Sequence, residues 1–253
     1  MQRGNVSIKS NDDIRRIKDS GSIIAEIFLL LKKKNIEGFS TLELDSFVEN
    51  YILKSKARPS FKTVVNYNHA TCISINDEVV HGIPNKKKKI KNGDIVKVDI
   101  GVVKNGYFSD ACITMEVGEV HDNARRLAAT TKNALYTGIH EMYPGKKLGD
   151  IGAAIQVLAE GAGYSIVRDF TGHGVGFAVH ELPNIPHYGR KGTGMTLKEG
   201  MVLAVEPMLN EGKHHVIILD DGWTAVTADG KLSAQFEHTV AITADGPCIL
   251  TEL

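Results

Sequence analysis

The chain has only three cysteines, Cys72, Cys112 and Cys248. They are odd in number, far apart and without Cys-x-x-Cys spacing, which excludes a disulfide framework and a zinc knuckle and fits a reducing compartment. Net charge is also lacking, since 30 lysines and arginines meet 30 aspartates and glutamates. No global field therefore draws nucleic acid or an anionic membrane as the main partner, and a partner has to be recognised at a site. No apolar run approaches membrane-spanning length. The opening Met1-Gln2-Arg3-Gly4-Asn5 leads into polar sequence without the apolar stretch of a secretory leader. Together these absences predict a cytoplasmic chain. What is present, 253 residues of 42% hydrophobic composition, can bury a substantial core in one large domain or two small halves.

Two strand-like runs, Val96-Lys97-Val98-Asp99-Ile100-Gly101 and Phe108-Ser109-Asp110-Ala111, are joined at Asn105-Gly106, the strongest short hairpin signal. A two-residue loop there pairs Lys104 with Tyr107, Ile100 with Ala111 and Gly101 with Asp110. Asp99 and Asp110 then become diagonal neighbours on one face, roughly 7 to 8 Å apart. Two carboxylates leaning toward one point resist ionising beside each other unless something positive lies between them. A divalent cation is the obvious candidate, although the hairpin by itself leaves open the commoner arrangement in which both acids face solvent.

Helical spacing predicts one amphipathic helix opened by Ser10-Asn11-Asp12-Asp13 and ending in Lys32-Lys33-Lys34, with Ile14, Ile17, Ile24, Phe28 and Leu31 on its apolar side. A second runs from about Thr41 to Lys56 and is closed by Pro59. A third runs from Asp122 to about Tyr143, before Pro144-Gly145, and a fourth from Leu148 to about Glu160, before Gly161-Ala162-Gly163. Each half of the chain thus begins with two helices. The halves also echo each other: Ile90 to Asp99 aligns without gaps to Leu197 to Glu206, with Lys, Gly and Val matching and Asp99 meeting Glu206. This predicts a single domain built from a duplicated α/β unit, roughly 10–120 and 121–253, in which Asp110 and Glu237 each follow the echoed segment. The run Lys86 to Lys89 reads as a solvated loop, with a ribosomal RNA contact as its alternative.

Three histidines stand in distinctive settings: His81 in Val80-His81-Gly82-Ile83-Pro84, His173 in Gly172-His173-Gly174-Val175-Gly176, and His180 in Val179-His180-Glu181-Leu182-Pro183. Each alone is an ordinary histidine. The glycines around His173 do not form a nucleotide fingerprint, because Phe177 takes the place of the third glycine. They let the backbone approach closely and present the ring instead.

These motifs, with Ile73-Ser74-Ile75-Asn76, Val205-Glu206-Pro207 and Gln235-Phe236-Glu237-His238-Thr239, resemble the methionine aminopeptidases of the M24 metallopeptidase family, in order and over nearly the whole chain. The short interval from His173 to Glu206 and the lack of a zinc-finger extension resemble the compact type I members. The resemblance implies the pseudo-twofold "pita-bread" α/β fold with a central antiparallel sheet. It implies an enzyme that removes the N-terminal methionine of nascent polypeptides when the second residue is small; a monomer, with a transient ribosome contact as the alternative role of the lysine run, is a separate expectation. It also implies five ligands, Asp99, Asp110, His173, Glu206 and Glu237, for two divalent cations, with Asp110 and Glu237 bridging. Four carboxylates offset two such ions and would otherwise repel one another away from water. An oxygen-rich set with one imidazole favours cobalt, manganese or iron, with zinc or nickel next, and ions about 3.5 to 4 Å apart activate a water and stabilise charge on the attacked carbonyl.

By the same resemblance, Glu206 accepts the water's proton, His180 donates to the carbonyl oxygen and His81 contacts the scissile amide. Phe61, Tyr67, Cys72 and Trp223 would line a methionine pocket, with soft and aromatic surfaces that suit a thioether. Trp223 and Cys72 read equally well as core. The family's usual aromatic before the second histidine is Val179 here, and Val64 replaces another near Tyr67. Prolidase and X-Pro aminopeptidase are the alternative enzymes, but they normally carry a large additional N-terminal domain. A non-catalytic pita-bread binding module is a second alternative, though such modules have lost ligands.

Overall fold

The computed structural model describes residues 5–253; Met1 to Gly4, which begin the stretch read above for a leader, lie outside the described residues. Helices α1 (Asn11–Lys33) and α2 (Thr41–Lys54) both start at serines with complete capping boxes, Ser10 with Asp13 and Ser40 with Glu43. Each box satisfies donors that the first helical turn leaves unpaired. The sequence predicts α2 to continue to about Lys56 and stop at Pro59. It stops at Lys54, and Lys56 takes a left-handed φ of 55°, a conformation that turns the chain out of a helix. Pro59 lies instead in the short strand β1 (Arg58–Pro59).

Strands β2 (Thr71–Ile75), β3 (Glu78–Val80), β4 (Ile95–Lys104) and β5 (Tyr107–Glu116) follow. The β4–β5 turn has φ of 52° at Asn105 and 86° at Gly106, as a mirror-image hairpin turn requires. Its register is the expected one, with Gly101 opposite Asp110 and Asp99 opposite Cys112. Along β4 the side chains alternate. Val96, Val98, Ile100 and Val102 pack with Ile24, Ile27 and Leu31 of α1 and Leu44 and Val48 of α2, so Lys97 and Asp99 point to the opposite face.

The second half repeats this order with α3 (Asp122–Ile139) and α4 (Leu148–Gly161). α3 ends at Ile139, short of the expected Tyr143, because the chain tightens into three-residue turns from Gly138 to Glu141 and from Ile139 to Met142. Strands β6 (Ser165–Ile166), β7 (Gly172–Gly174), β8 (Glu181–Ile185), β9 (Val202–Val205), β10 (Met208–Asn210), β11 (Val216–Ile218), β12 (Ala225–Thr227), β13 (Ser233–Gln235), β14 (His238–Thr243) and β15 (Gly246–Ile249) complete the chain. β4 is flanked by β2 and β5, and β9 by β7 and β14, all antiparallel. Leu127, Leu135, Ile151 and Ile155 of α3 and α4 cover Leu203, Val205 and Val240. Phe236 touches both helix-covered cores.

The two sheets meet at a seam. Glu237 N–H donates to Cys112 O at 2.9 Å, and Cys112 N–H returns to Glu237 O at 3.4 Å. On one side of this pair the hydroxyl of Thr239 bridges the backbone of Asp110, accepting from its N–H at 2.9 Å and donating to its carbonyl at 2.7 Å. On the other side Thr114 does the same for Gln235, at 3.1 and 2.6 Å. A hydroxyl between two strands spreads them while leaving their backbone groups paired. The lysine run is less solvated than expected, since Lys88 folds inward to Glu78 Oε2 at 2.8 Å and Ile73 O at 3.0 Å.

Candidate metal centre and active site

The seam gathers the acids. His238 pairs with Val205, and Gln235 with Met208; the register is the same on both sides of the break, so Glu206 and Glu237 stand opposite each other. Pro207 has no N–H and interrupts the ladder there. The freed N–H of Glu206 donates to His187 Nε2 at 3.0 Å. Across the seam, Glu237 pairs through backbone with Cys112, whose other neighbour is Asp99. Cross-strand neighbours share a face, and this row puts Asp99, Glu237 and Glu206 on one face, with Asp110 diagonal to Asp99.

His173 reaches the same point from β7. A Cβ at Gly172 would come within 2.4 Å of Ala204 O, and one at Gly174 within 2.3 Å of Leu182 O. Only glycines let β7 sit this close to both neighbours. The His173 Nδ1 lies 3.0 Å from Gly174 O; a carbonyl can only accept, so Nδ1 carries the proton and Nε2 presents its lone pair. That Nε2 lies 3.6 Å from Glu206 Oε1 and 4.0 Å from Asp110 Oδ2.

The donor set fits a divalent metal. Asp110, His173 and Glu237 are all buried and bring ligand atoms within 4.8 Å of one another. Asp99 Oδ1 and Asp110 Oδ1 are buried without any hydrogen-bond partner, an arrangement that costs free energy unless a cation completes it. Burial pushes Asp99, Glu206 and Glu237 well above the carboxylate range and Asp110 to about 7, and for the first three the neighbouring acids push further. Burial also holds His173 down at about 3, so it is neutral and free to ligate. A first prediction follows. Ligation requires ionised carboxylates, so divalent metal binding at pH 7 releases protons, and its apparent affinity falls as pH drops through about 7, where Asp110 takes its proton up. Calorimetric titration in buffers of different ionisation enthalpy measures the release; a proton count of zero would mean the acids are already ionised and the set is not closed in as described.

One cavity is lined by the four acids and His173, by His81 and His180, and by Phe61, Tyr67, Cys72 and Trp223; Cys72 stands directly opposite Asp99 on the neighbouring strand. His81 has a left-handed φ of 58°, rare outside glycine, and its ring meets Phe170 at 5.3 Å and Trp223 at 6.4 Å. Burial, then His180, lowers His81 to about 4. The rings of His173 and His180 meet edge-on at 4.4 Å. Phe61 and Trp223 stand edge-on to Tyr67 at 6.3 and 5.0 Å. Val179 and Val64 pack with Phe61, Tyr67 and Cys72.

Three residues of the site went unpredicted. Gln235 Nε2 donates to Glu206 Oε2 at 3.1 Å; its position two residues before Glu237 on an alternating strand was the available signal. Asp45, buried on α2, takes the N–H groups of Ala70 and Thr71 and the Thr71 hydroxyl at 2.8 to 3.0 Å, fixing the loop of Tyr67 and Cys72. An acid between Leu44 and Val48 on an apolar helix face marks it. His187 has no sequence signal.

The chain matches the model of metallopeptidase family M24 over residues 15–244. It is 46% identical to a methionine aminopeptidase of Clostridium perfringens over 97% of this chain and 98% of that one. It is 45% identical to methionine aminopeptidase 1 of Bacillus subtilis, with the same shares. Its structure superposes on that of a methionine aminopeptidase from Thermotoga maritima with a TM-score of 0.96, at 42% identity, covering 98% of this chain and 100% of the other. Against a prolidase from Pyrococcus furiosus the TM-score is 0.78 at 25% identity, and this chain covers 65% of that protein. The pita-bread α/β fold is therefore common to both enzyme groups, and full-length coverage at high identity separates them. The chain belongs to metallopeptidase family M24 and, within it, to the methionine aminopeptidases.

Proposed function

We propose that this protein removes the N-terminal methionine from nascent proteins and peptides whose second residue is small. As an M24 metallopeptidase it binds divalent metal. In this reading Asp99, Asp110, His173, Glu206 and Glu237 hold two ions per chain, with cobalt, manganese or iron as the best match to the donors. Bound there, the ions supply a Lewis acid and lower the pKa of a water. Gln235 holds one Glu206 oxygen, leaving Oε1 to accept a proton from the attacking water. His180 donates to the carbonyl oxygen as charge develops on it, and His81 contacts the scissile amide nitrogen. Phe61, Tyr67, Cys72 and Trp223 receive the thioether side chain. What supports the reading is that one cavity is lined both by Asp99, Asp110, His173, Glu206 and Glu237 and by the aromatic and sulfur-bearing side chains of Phe61, Tyr67, Cys72 and Trp223.

The two halves, roughly 10–120 and 121–253, are read as copies of one unit within a single catalytic domain; what supports this is the shared order of two helices followed by a central strand, with Asp99 within β4 and Glu206 directly after β9. No helix among the described residues is long and apolar enough to cross a membrane. In this reading the protein is a cytoplasmic monomer meeting nascent chains, with exposed Lys86 and Lys87 available for a transient ribosome contact.

Comparing kcat/KM on four peptides tests the specificity. Met-Ala-Ser is the best substrate and releases free methionine, while Met-Lys-Ser is poor. Leu-Ala-Ser is retained but weakened by about 1 to 3 kcal/mol, because Val64 and Val179 wall the pocket less tightly than aromatics. A best rate on Ala-Pro-Ser would overturn the assignment in favour of a prolidase-like site.

A further inference from the structure

We propose that Lys9 is a positioning residue for this reaction: with Glu181 it latches the turn that carries His180 and so sets where that imidazole meets the substrate. The inference rests on the role given above to His180. Lys9 immediately precedes the N-cap of α1, far from the cavity in sequence, yet its side chain is only 1% exposed and its ammonium lies 2.5 Å from Glu181 Oε2. The Glu181 side chain is itself 12% exposed. Exposed ion pairs contribute little, but removing one partner of a buried pair strands the other charge.

The second oxygen of Glu181 makes this pair more than a staple. Glu181 Oε1 accepts from the N–H groups of Phe177 and Ala178, at 2.5 and 3.1 Å, so the carboxylate ties the turn to its own base. His180 is inside the tied turn, one residue before Glu181. At the start of the turn, Gly176 O accepts from Phe108 N–H at 2.7 Å, on the same strand as Asp110. Lys9 is anchored in turn, its N–H donating to Gly200 O at 2.7 Å. The lysine stem crosses Gly176, where a Cβ would come within 2.8 Å of Lys9 Cε and where φ is 140°. With the ammonium gone, Glu181 is left as a sheltered anion without a cation. It then turns toward water, releases both N–H groups and lets the His180 turn move.

The test uses metal-loaded protein carrying Lys9→Met, assayed on Met-Ala-Ser. A displaced catalytic group costs about 10- to 100-fold, and the expected loss of that size is in kcat, with KM changed by less than about 2-fold and metal content unchanged. Lys9→Arg restores most of the rate. Adding Lys9→Met to His180→Ala has no further effect, because Lys9 acts through His180. Amide hydrogen exchange at Phe177 and Ala178 speeds up in Lys9→Met, with or without metal. Wild-type kcat in Lys9→Met, unchanged exchange at those two amides, or losses from Lys9→Met and His180→Ala that multiply would each overturn the latch. If Lys9→Met does not fold, Glu181→Ala, which removes both the partner of Lys9 and the acceptor of the two N–H groups, is read the same way. Wild-type protein that releases no methionine would refute the proposed function, and the exchange measurement would still decide the latch.

Discussion

Glu206→Gln lowers kcat by about 10²- to 10⁴-fold, the range expected when a general base is lost, while the protein folds and keeps at least one metal. The substitution preserves shape. Its amide still packs between Gln235 and His173, which approach the two carboxylate oxygens at 3.1 and 3.6 Å in the native protein. What it removes is one ligand charge and the only oxygen of Glu206 that Gln235 leaves free to take a proton. Two readouts together separate this from a structural defect: metal content by elemental analysis and the rate of a single turnover. A near-normal kcat in the metal-loaded Glu206→Gln protein would show that the proton acceptor lies elsewhere.

Stripping the metal abolishes turnover, and adding a divalent ion back restores it. The reason is in the charge balance of the floor: four carboxylates share one small volume with one neutral histidine, and their nearest charged neighbours are each other. Metal that binds only the folded protein also stabilises it, by about 2.7 kcal/mol at a free concentration a hundred times its Kd, so the melting temperature rises with added metal. Full-rate hydrolysis by protein shown free of metal would refute the mechanism outright.

Much of this was readable before the structure. Asn105-Gly106 with its flanking runs specified the hairpin and its register, because a two-residue loop permits only one pairing. Ser10 with Asp13 and Ser40 with Glu43 specified the helix starts, since capping is local chemistry. The far ends of the helices were misjudged at Lys54 and Ile139, where a left-handed residue and a tightening turn acted before the proline. The seam was illegible for a different reason. Lys97 alternates with the core valines and carries no mark of burial in the sequence, yet it is buried, donating to Asn76 O and Ser233 O at 2.8 Å each, with its pKa lowered by burial to about 7. A strand face that packs against backbone carbonyls of the other half carries the same residue types as one that meets water, and only the neighbouring half of the chain tells them apart. His187 and Lys9 belong to the same class, their partners being remote in sequence and unmarked by any motif.

The most direct measurement is anomalous X-ray scattering from crystals of the manganese-loaded protein, collected at the manganese absorption edge. The account predicts two peaks in the cavity floor, both within coordination reach of Asp110 and Glu237, with Asp99, His173 and Glu206 completing the set. An empty floor at saturating manganese, or peaks that avoid these five residues, would contradict it.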